Sequence, residues 1–246
     1  KSGLYQAEKI ILTRRHAKSL GKFEKTGFTV TTNNNSAVRN CSVVLLCVEP
    51  HQAGAVLEAI KRDLTSDHVL ISVVSALSIS EIYKIVDEEV KVVRAMPNTA
   101  ISIRESMTCL AANEQSRSAL EIAKTIFSEV GKAIIIDEEQ MGAATALGAC
   151  GIAFFLRAIR AASQGGIEIG FHAEQALEIA TQTAKGASSL LAENNNHPEQ
   201  EIDKVTTPLG CTIAGLNRME HDGFSSAMIK GITTSATKSC GLIDID

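Results

Sequence analysis

CSVVLLCVEPHQAGAVLEAIKRDLTSDHVLISVV, residues 41–74, carries one complete unit of the fold. CSVVLLCV (41–48) and HVLISVV (68–74) are short, almost uninterrupted apolar runs, the pattern of strands covered on both faces. Between them Gln52–Arg62 reads as a helix. Strand, helix, strand in that order gives a parallel pair with a crossover connection.

The same alternation extends to both sides. KIILTRR (9–15), FTVTT (28–32), VKVVRAM (90–96), MTCLAA (107–112) and KAIIID (132–137) read as further strands, with helices at Ser80–Val86 and Glu114–Val130. Residues 1–137 are therefore expected to form a doubly wound α/β domain of the Rossmann type. From Glu138 onward no strand is convincing, and residues 138–246 are expected to form an all-α domain. Segment 174–193 sets Leu177, Ala180, Ala184, Ala187 and Leu191 at three- and four-residue steps, a helix with one small apolar stripe. Segment 139–163 is rich in Ala and Gly and apolar on more than one face. Such a helix must be buried, and another subunit is the expected cover.

Composition narrows the function. The 246 residues have a formal charge of −4 and no Lys/Arg-rich run, which argues against a nucleic-acid surface. The absence of Trp and an aromatic content of 4% leave little for base or sugar stacking. Cysteines 41, 47, 109, 150, 211 and 240 form no CxxC pair, so reduced core thiols are expected, with no metal site. No apolar run is read as long enough to cross a membrane and no secretory leader is recognised, so the expected setting is the cytoplasm, without membrane partners. His51, His68, His172 and His221 have no carboxylate or second ligand at helical spacing and are expected at the surface or at caps. His197, before Pro198, is expected to start a helix.

A dinucleotide-binding domain ordinarily opens with a strand and a Gly-rich turn that seats pyrophosphate on a helix N-terminus. No GxGxxG follows a strand here. The elements nevertheless run in order as if that unit came first, so about one strand and one glycine turn are expected ahead of Lys1, between the strands at 9–15 and 41–48. At the end of the 9–15 strand, where an NAD-binding domain carries Asp or Glu, stand Thr13, Arg14 and Arg15, with Lys18 a turn later. These cations suit a 2′-phosphate, and NADPH is the expected cofactor with NADH as the alternative. A solvated basic loop is the other reading.

VTTPLGCTIAGL (205–216) is the densest signal in the second half. A tight Pro208–Gly210 turn runs into a helix starting near Thr212, with Thr207 and Thr212 supplying hydroxyls. Free N–H groups at such a start suit a small anion. An ordinary loop with an N-cap would have the same sequence.

With CVEP (47–50), VVRAMPNTA (92–100), TALGACGIAFF (145–155) after Glu-Glu-Gln-Met, HPEQEIDKVTTPLGCTIAGL (197–216) and GFSSAMIKGI (223–232), the chain resembles the pyrroline-5-carboxylate reductases over almost its whole length. The resemblance implies NAD(P)H-dependent reduction of a cyclic imine to proline. It implies that Thr207, Gly210, Cys211 and Thr212 form the substrate-binding loop, with Thr212 near the ring nitrogen as the catalytic group. Cys150 and Cys211 are read as packing residues beside the site. It further implies that Cys47, Val48 and Pro50 border the nicotinamide and its ribose, that Asn98 lines the cofactor cleft, and that Asn34 meets the adenosine ribose. It implies a homodimer interlocked through the helical domain, with larger assemblies of dimers as an extension.

The chain departs from the family pattern at four places. VKP is VEP, placing Glu49 where a cation is usual; Ala-Gly is Ser75-Ala76; SGSGPAY is GACGIAF; and Leu209 replaces a glycine. A hydroxyacid-type dehydrogenase shares the two-domain plan but needs a lysine in the interdomain helix, and 139–163 has none. A relative that dimerises without binding cofactor is the remaining alternative.

Overall fold

The computed structural model of the protein describes residues 3–16 and 20–239. Lys18 and Cys240 lie outside the described residues. In chain order the elements are β1 (Ile11–Thr13), α1 (Gly21–Glu24), β2 (Thr29–Thr31), α2 (Asn34–Arg39), β3 (Val43–Leu46), α3 (Pro50–Ile60), β4 (Val69–Ser72), α4 (Ile79–Tyr83), β5 (Lys91–Met96), β6 (Ser106–Ala112), α5 (Leu120–Ser128), β7 (Gly131–Ile135), α6 (Met141–Ala144), α7 (Gly151–Glu168), α8 (Ala173–Asn194), α9 (Pro198–Lys204), α10 (Cys211–His221) and α11 (Phe224–Ser239). All seven strands fall inside the runs read from sequence or within a residue of them, and α1 and α2 are additions to that reading.

The strands form two sheets. β1 pairs with β2 in parallel, and β3-β4-β5-β6-β7 make a five-stranded sheet. Among the described residues no strand hydrogen-bonds between β1 and β3. β3, β4 and β5 are parallel, with Leu70 opposite Val44 and Val92. β6 instead runs antiparallel to β5, with Met96 opposite Cys109. A nine-residue connection (97–105) is too short for a helical crossover, and left-handed Arg104, at φ 65°, turns the chain back.

Successive residues of a strand face opposite sides, and here both sides are covered. Leu70 and Val92 join Leu57, Ile60, Ile82 and Val86 beneath α3 and α4. Val69, Ile71 and Val93 join Leu110, Leu120, Ala123 and Phe127 against α5. Leu57, Leu70, Ile71, Val92, Val93 and Leu110 are 0% exposed. Each such side chain contributes about 1.5–3 kcal/mol. α4 starts with a capping box, Ser78 Oγ accepting from Glu81 N while Glu81 Oε2 accepts from Ser78 N.

The chain divides into two compact units. The first contains the described residues up to Ala149 and the end of α11 from Ala236; the second is Cys150–Ser235. The sequence reading sets its boundary at 137/138, one helical segment earlier. In the first unit, Ser239 Oγ donates to Gly142 O at 2.8 Å. In the second, α7 and α8 pack together where small residues allow close approach: a Cβ on Gly166 would stand 3.0 Å from Ala176 Cβ.

Glu138–Glu168 is a continuous helical run of 31 residues that changes register along its length. It starts as a 3-10 turn, becomes α6, widens into a π turn at Thr145–Cys150 and continues as α7. By length and hydropathy it could cross a membrane, the one such helix among the described residues. This corrects the expectation that no segment reaches that length. Its hydropathy comes from Ala, Ile, Leu and Phe spread around the helix, the composition that suggested a subunit contact.

Candidate active site

In the first unit, a groove of about 410 Å³ lies against the end of β1, the start of α2 and the length of α3. Arg15, Asn34, His51 and Gln52 supply its polar rim, and Ala55, Val56 and Ala59 its apolar wall. Residues 51, 55 and 59, with 52 and 56, form one face of α3 at helical spacing. Arg14 and Arg15 follow β1, where Arg14 N donates to Thr31 O at 3.4 Å. Asn34 opens α2, whose N-cap Asn33 accepts from Ser36 N at 3.0 Å. A guanidinium, an amide and an imidazole beside an apolar wall offer donors suited to a phosphate ester and a surface suited to a flat apolar group. The groove brings together Arg15 and Asn34, both read as cofactor residues, with His51, which is exposed as expected, and Gln52, neither of which was associated with a groove. The signal for them was the i, i+4, i+8 series of polar then small residues starting one position after Pro50.

Cys47 and Val48 follow β3, and Pro50 is the first residue of α3, fixing its start where no intrahelical N–H is needed. Cys47 is exposed as a residue, yet desolvation pushes its thiol up and away from the reactive thiolate. Glu49 Oε2 stands 3.4 Å from His51 Nδ1, both side chains largely in solvent. Ala76, in the loop after β4, has φ 57°, the left-handed region in which glycine is favoured. This is the position where the family pattern has glycine.

Asn98 follows β5 and Pro97, half-buried. Its Nδ2 donates to Gly148 O at 2.9 Å and its Oδ1 accepts from Ala100 N at 3.0 Å. Nearby, buried Arg94 reaches Glu138 at 3.2 Å, and the same Glu138 oxygen accepts from Ile79 N at 2.7 Å. Sequence reading did not identify this bridge between β5, α4 and residue 138, because the partners are 44 and 59 positions apart.

In the second unit, Thr207–Gly210 is a β-turn closed by Gly210 N donating to Thr207 O at 2.9 Å. Pro208 occupies its second position and Leu209 its third, at φ 61°. That third position ordinarily requires glycine. Gly210 is held to glycine by proximity: a Cβ there would lie 2.5 Å from Thr207 Oγ1 and 2.9 Å from Thr207 O. Gly210 is also the N-cap of α10, with φ −74° and ψ 160°. Cys211, Thr212 and Ile213 are the first three helical residues, so their N–H groups have no acceptor within the helix. Among the described residues the Thr207 and Thr212 hydroxyls have no hydrogen-bond partner. The turn therefore assembles Thr207, Gly210, Cys211 and Thr212 around three outward N–H groups and the positive end of an 11-residue helix. That is the chemistry of a carboxylate seat.

His197 is the N-cap of α9, Nδ1 accepting from Glu199 N at 3.3 Å. His68 Nδ1 accepts from Thr65 N at 3.0 Å. Both are local structural roles. Among the described residues no cluster of three His, Cys, Asp or Glu side chains could hold a metal ion.

Residues 138–242 match the profile described as pyrroline-5-carboxylate reductase dimerisation, and residues 1–76 match that of NADP oxidoreductases, coenzyme F420-dependent. Pyrroline-5-carboxylate reductase 1 of Dictyostelium discoideum is 54% identical over 250 residues, covering 97% of this chain and 45% of the relative, so the chain spans about half that protein's length. Pyrroline-5-carboxylate reductase 2 of the same organism is 48% identical over 254 residues, covering 97% of this chain and 85% of the relative. Among solved structures, Plasmodium falciparum pyrroline carboxylate reductase with NADP bound superposes with a TM-score of 0.85 at 26% identity, over 97% of this chain and 88% of that one.

Proposed function

The chain belongs to the pyrroline-5-carboxylate reductase family, and on that premise we propose that it reduces 1-pyrroline-5-carboxylate to L-proline with NADPH, the last step of proline biosynthesis. The observation that carries this reading is the Thr207–Gly210 turn at the head of α10. NADPH, when bound, supplies the hydride that the imine carbon accepts. NADH is the weaker alternative donor.

The chain's own residues bind, orient and move a proton. The N–H groups of residues 211–213 and the Thr207 hydroxyl hold the substrate carboxylate, fixing the ring and lowering the entropy lost on the way to reaction. Thr212, half-buried beside those N–H groups, relays a proton to the ring nitrogen as the C=N bond is reduced. Cys211 is exposed, which corrects its reading as a packing residue, and it borders the carboxylate through its N–H. Arg15 pairs with the cofactor's 2′-phosphate, Arg14 adds positive charge to the same strand end, and Asn34 meets the adenosine ribose. Cys47, Val48 and Pro50 border the nicotinamide ribose, and Asn98 stands at the edge of that cleft. The groove's polar rim and the Thr207–Gly210 turn favour a working enzyme over a relative that merely dimerises.

The helical half forms a homodimer, which associates further into assemblies of dimers, and the protein works in the cytoplasm. The support for dimerisation is the profile match at 138–242 together with the exposed apolar side chains of α7 and α8. Replacing Thr212 with Ala tests the chemistry: turnover falls roughly 100-fold while thermal unfolding stays unchanged. An unchanged turnover defeats the assignment of Thr212.

A further inference from the structure

Asn98 is tied into the protein at three points. Besides the bonds of its amide to Gly148 O and Ala100 N, its backbone N–H donates to Ser106 Oγ at 3.1 Å. Ser106 Oγ in turn lies 3.2 Å from Thr108 Oγ1. Ser106 and Thr108 are 2% and 0% exposed. A network of this kind, half-buried at Asn98 and buried at Ser106 and Thr108, restricts geometry, because breaking a link where water is scarce leaves a polar group without a partner.

The group that Asn98 holds is unusual. Gly148 lies in the π turn Thr145–Cys150, between α6 and α7. π turns are rare, appear as single wide turns within α-helices and concentrate at functional sites. A wide turn adds one residue to the helix, and one residue is about 100° of rotation at 3.6 residues per turn. The register at 145–150 therefore decides which side chains of α7 stand on which face. Three further side-chain bonds lie close to this turn: Thr145 Oγ1 donates to Met141 O at 2.8 Å, Ser239 Oγ donates to Gly142 O, and Arg94 pairs with Glu138. Asn98 alone among these reaches the wide turn itself from the sheet.

We propose that Asn98 is a positioning residue that holds residues 145–150 in the π register, and through it the helical phase with which α7 begins, its amide serving that turn and not the cofactor. This rests on the reductase reading above and refines the place given there to Asn98. The turn that ends β5, beside the cofactor cleft, is thereby coupled to the first helix of the domain that carries the substrate loop.

Asn98→Asp tests the clamp. The variant keeps an oxygen for Ala100 N and the same size, but turns the donor facing Gly148 O into an acceptor. Three quantities are read on the intact dimer: NADPH affinity by fluorescence titration, kcat and KM for the imine at saturating NADPH, and amide exchange of the peptide spanning 141–155. The expected result is an NADPH Kd within about twofold of wild type, exchange at 145–150 faster by roughly tenfold or more, and kcat/KM for the imine lower by about tenfold. Unchanged exchange, or an NADPH Kd weakened about tenfold, overturns the proposal. Where Asn98→Asp fails to fold, a crystal structure of the wild-type protein with NADP bound decides: Nδ2 remaining on Gly148 O upholds the clamp, and Nδ2 moved onto the cofactor refutes it. A wild-type protein that reduces no imine would sink the reductase reading, while the exchange and crystal results would still judge the clamp.

Discussion

The two halves of this chain obey opposite rules of burial. The α/β unit has its own core: β4 and β5 contribute side chains to clusters on both sheet faces, and its helices cap and close over them. The helical unit between residues 150 and 235 buries only Gly151, Ser163 and Ala176 among the described residues of its helices. Phe155 is 62% exposed, and Leu156 and Ile169 are likewise open. Large apolar side chains left open along one helix are what a surface covered by another molecule would show. The first half closes its own core; the second leaves its apolar faces open, and its match to a dimerisation profile supports the second copy proposed above. The conformational strain is shared between them. Two of the positions at which the chain departs from the family's glycine, Ala76 and Leu209, sit at positive φ, one in each half.

The contrast can be broken or sharpened by substitution. The largest effect is expected at the substrate turn: Gly210→Ala drives a Cβ into Thr207 and distorts the carboxylate seat, lowering kcat/KM roughly 100-fold or more with little change in NADPH affinity. Steady-state kinetics beside a cofactor titration checks it; equal losses in both would mean that the turn serves the fold in general. Next, Phe155→Asp places a charge in the proposed subunit contact and is expected to weaken dimerisation about 100-fold. Light scattering should show monomer while the α/β unit keeps its cooperative melt. A dimer that persists would mean that the open face of α7 has another purpose.

A more selective change is expected in the groove of the α/β half. Arg15→Ala should weaken NADPH by roughly 10- to 100-fold and leave NADH within about threefold, because only the 2′-phosphate loses its charge-assisted bonds. Equal weakening of both cofactors would remove Arg15 from phosphate recognition. The smallest effect is expected from relieving backbone strain: Ala76→Gly and Leu209→Gly should each stabilise the protein by about 0.5–1 kcal/mol in chemical denaturation. Destabilisation at Leu209 would show that its side chain gains contacts in the dimer that outweigh its left-handed backbone.

Legibility in the sequence followed the range of the interaction involved. Strand runs such as HVLISVV were readable because burial on both faces writes a continuous apolar signal within seven residues. The turn at the head of α10 was readable because a turn proline, a glycine and an adjacent helix start all lie between 207 and 213. The reversal of β6 was not, since it depends on left-handed Arg104 in a short connection. Nor was the π turn, which is bonded to Asn98 fifty positions away. His51 stands at the surface as expected, but that it and Gln52 line a groove was not legible, because a face of α3 becomes a groove only when β1 and α2 stand against it. Local pattern revealed elements and the turn; partners distant in sequence had to be seen.

The central claim is that the N–H groups at the head of α10 grip the substrate's carboxylate. A crystal structure of the protein with proline bound tests it most directly. The account expects the carboxylate oxygens on the N–H groups of residues 211–213 and the Thr207 hydroxyl, with the ring nitrogen toward Thr212. A carboxylate bound elsewhere, with the turn empty or closed over by Leu209, would contradict it.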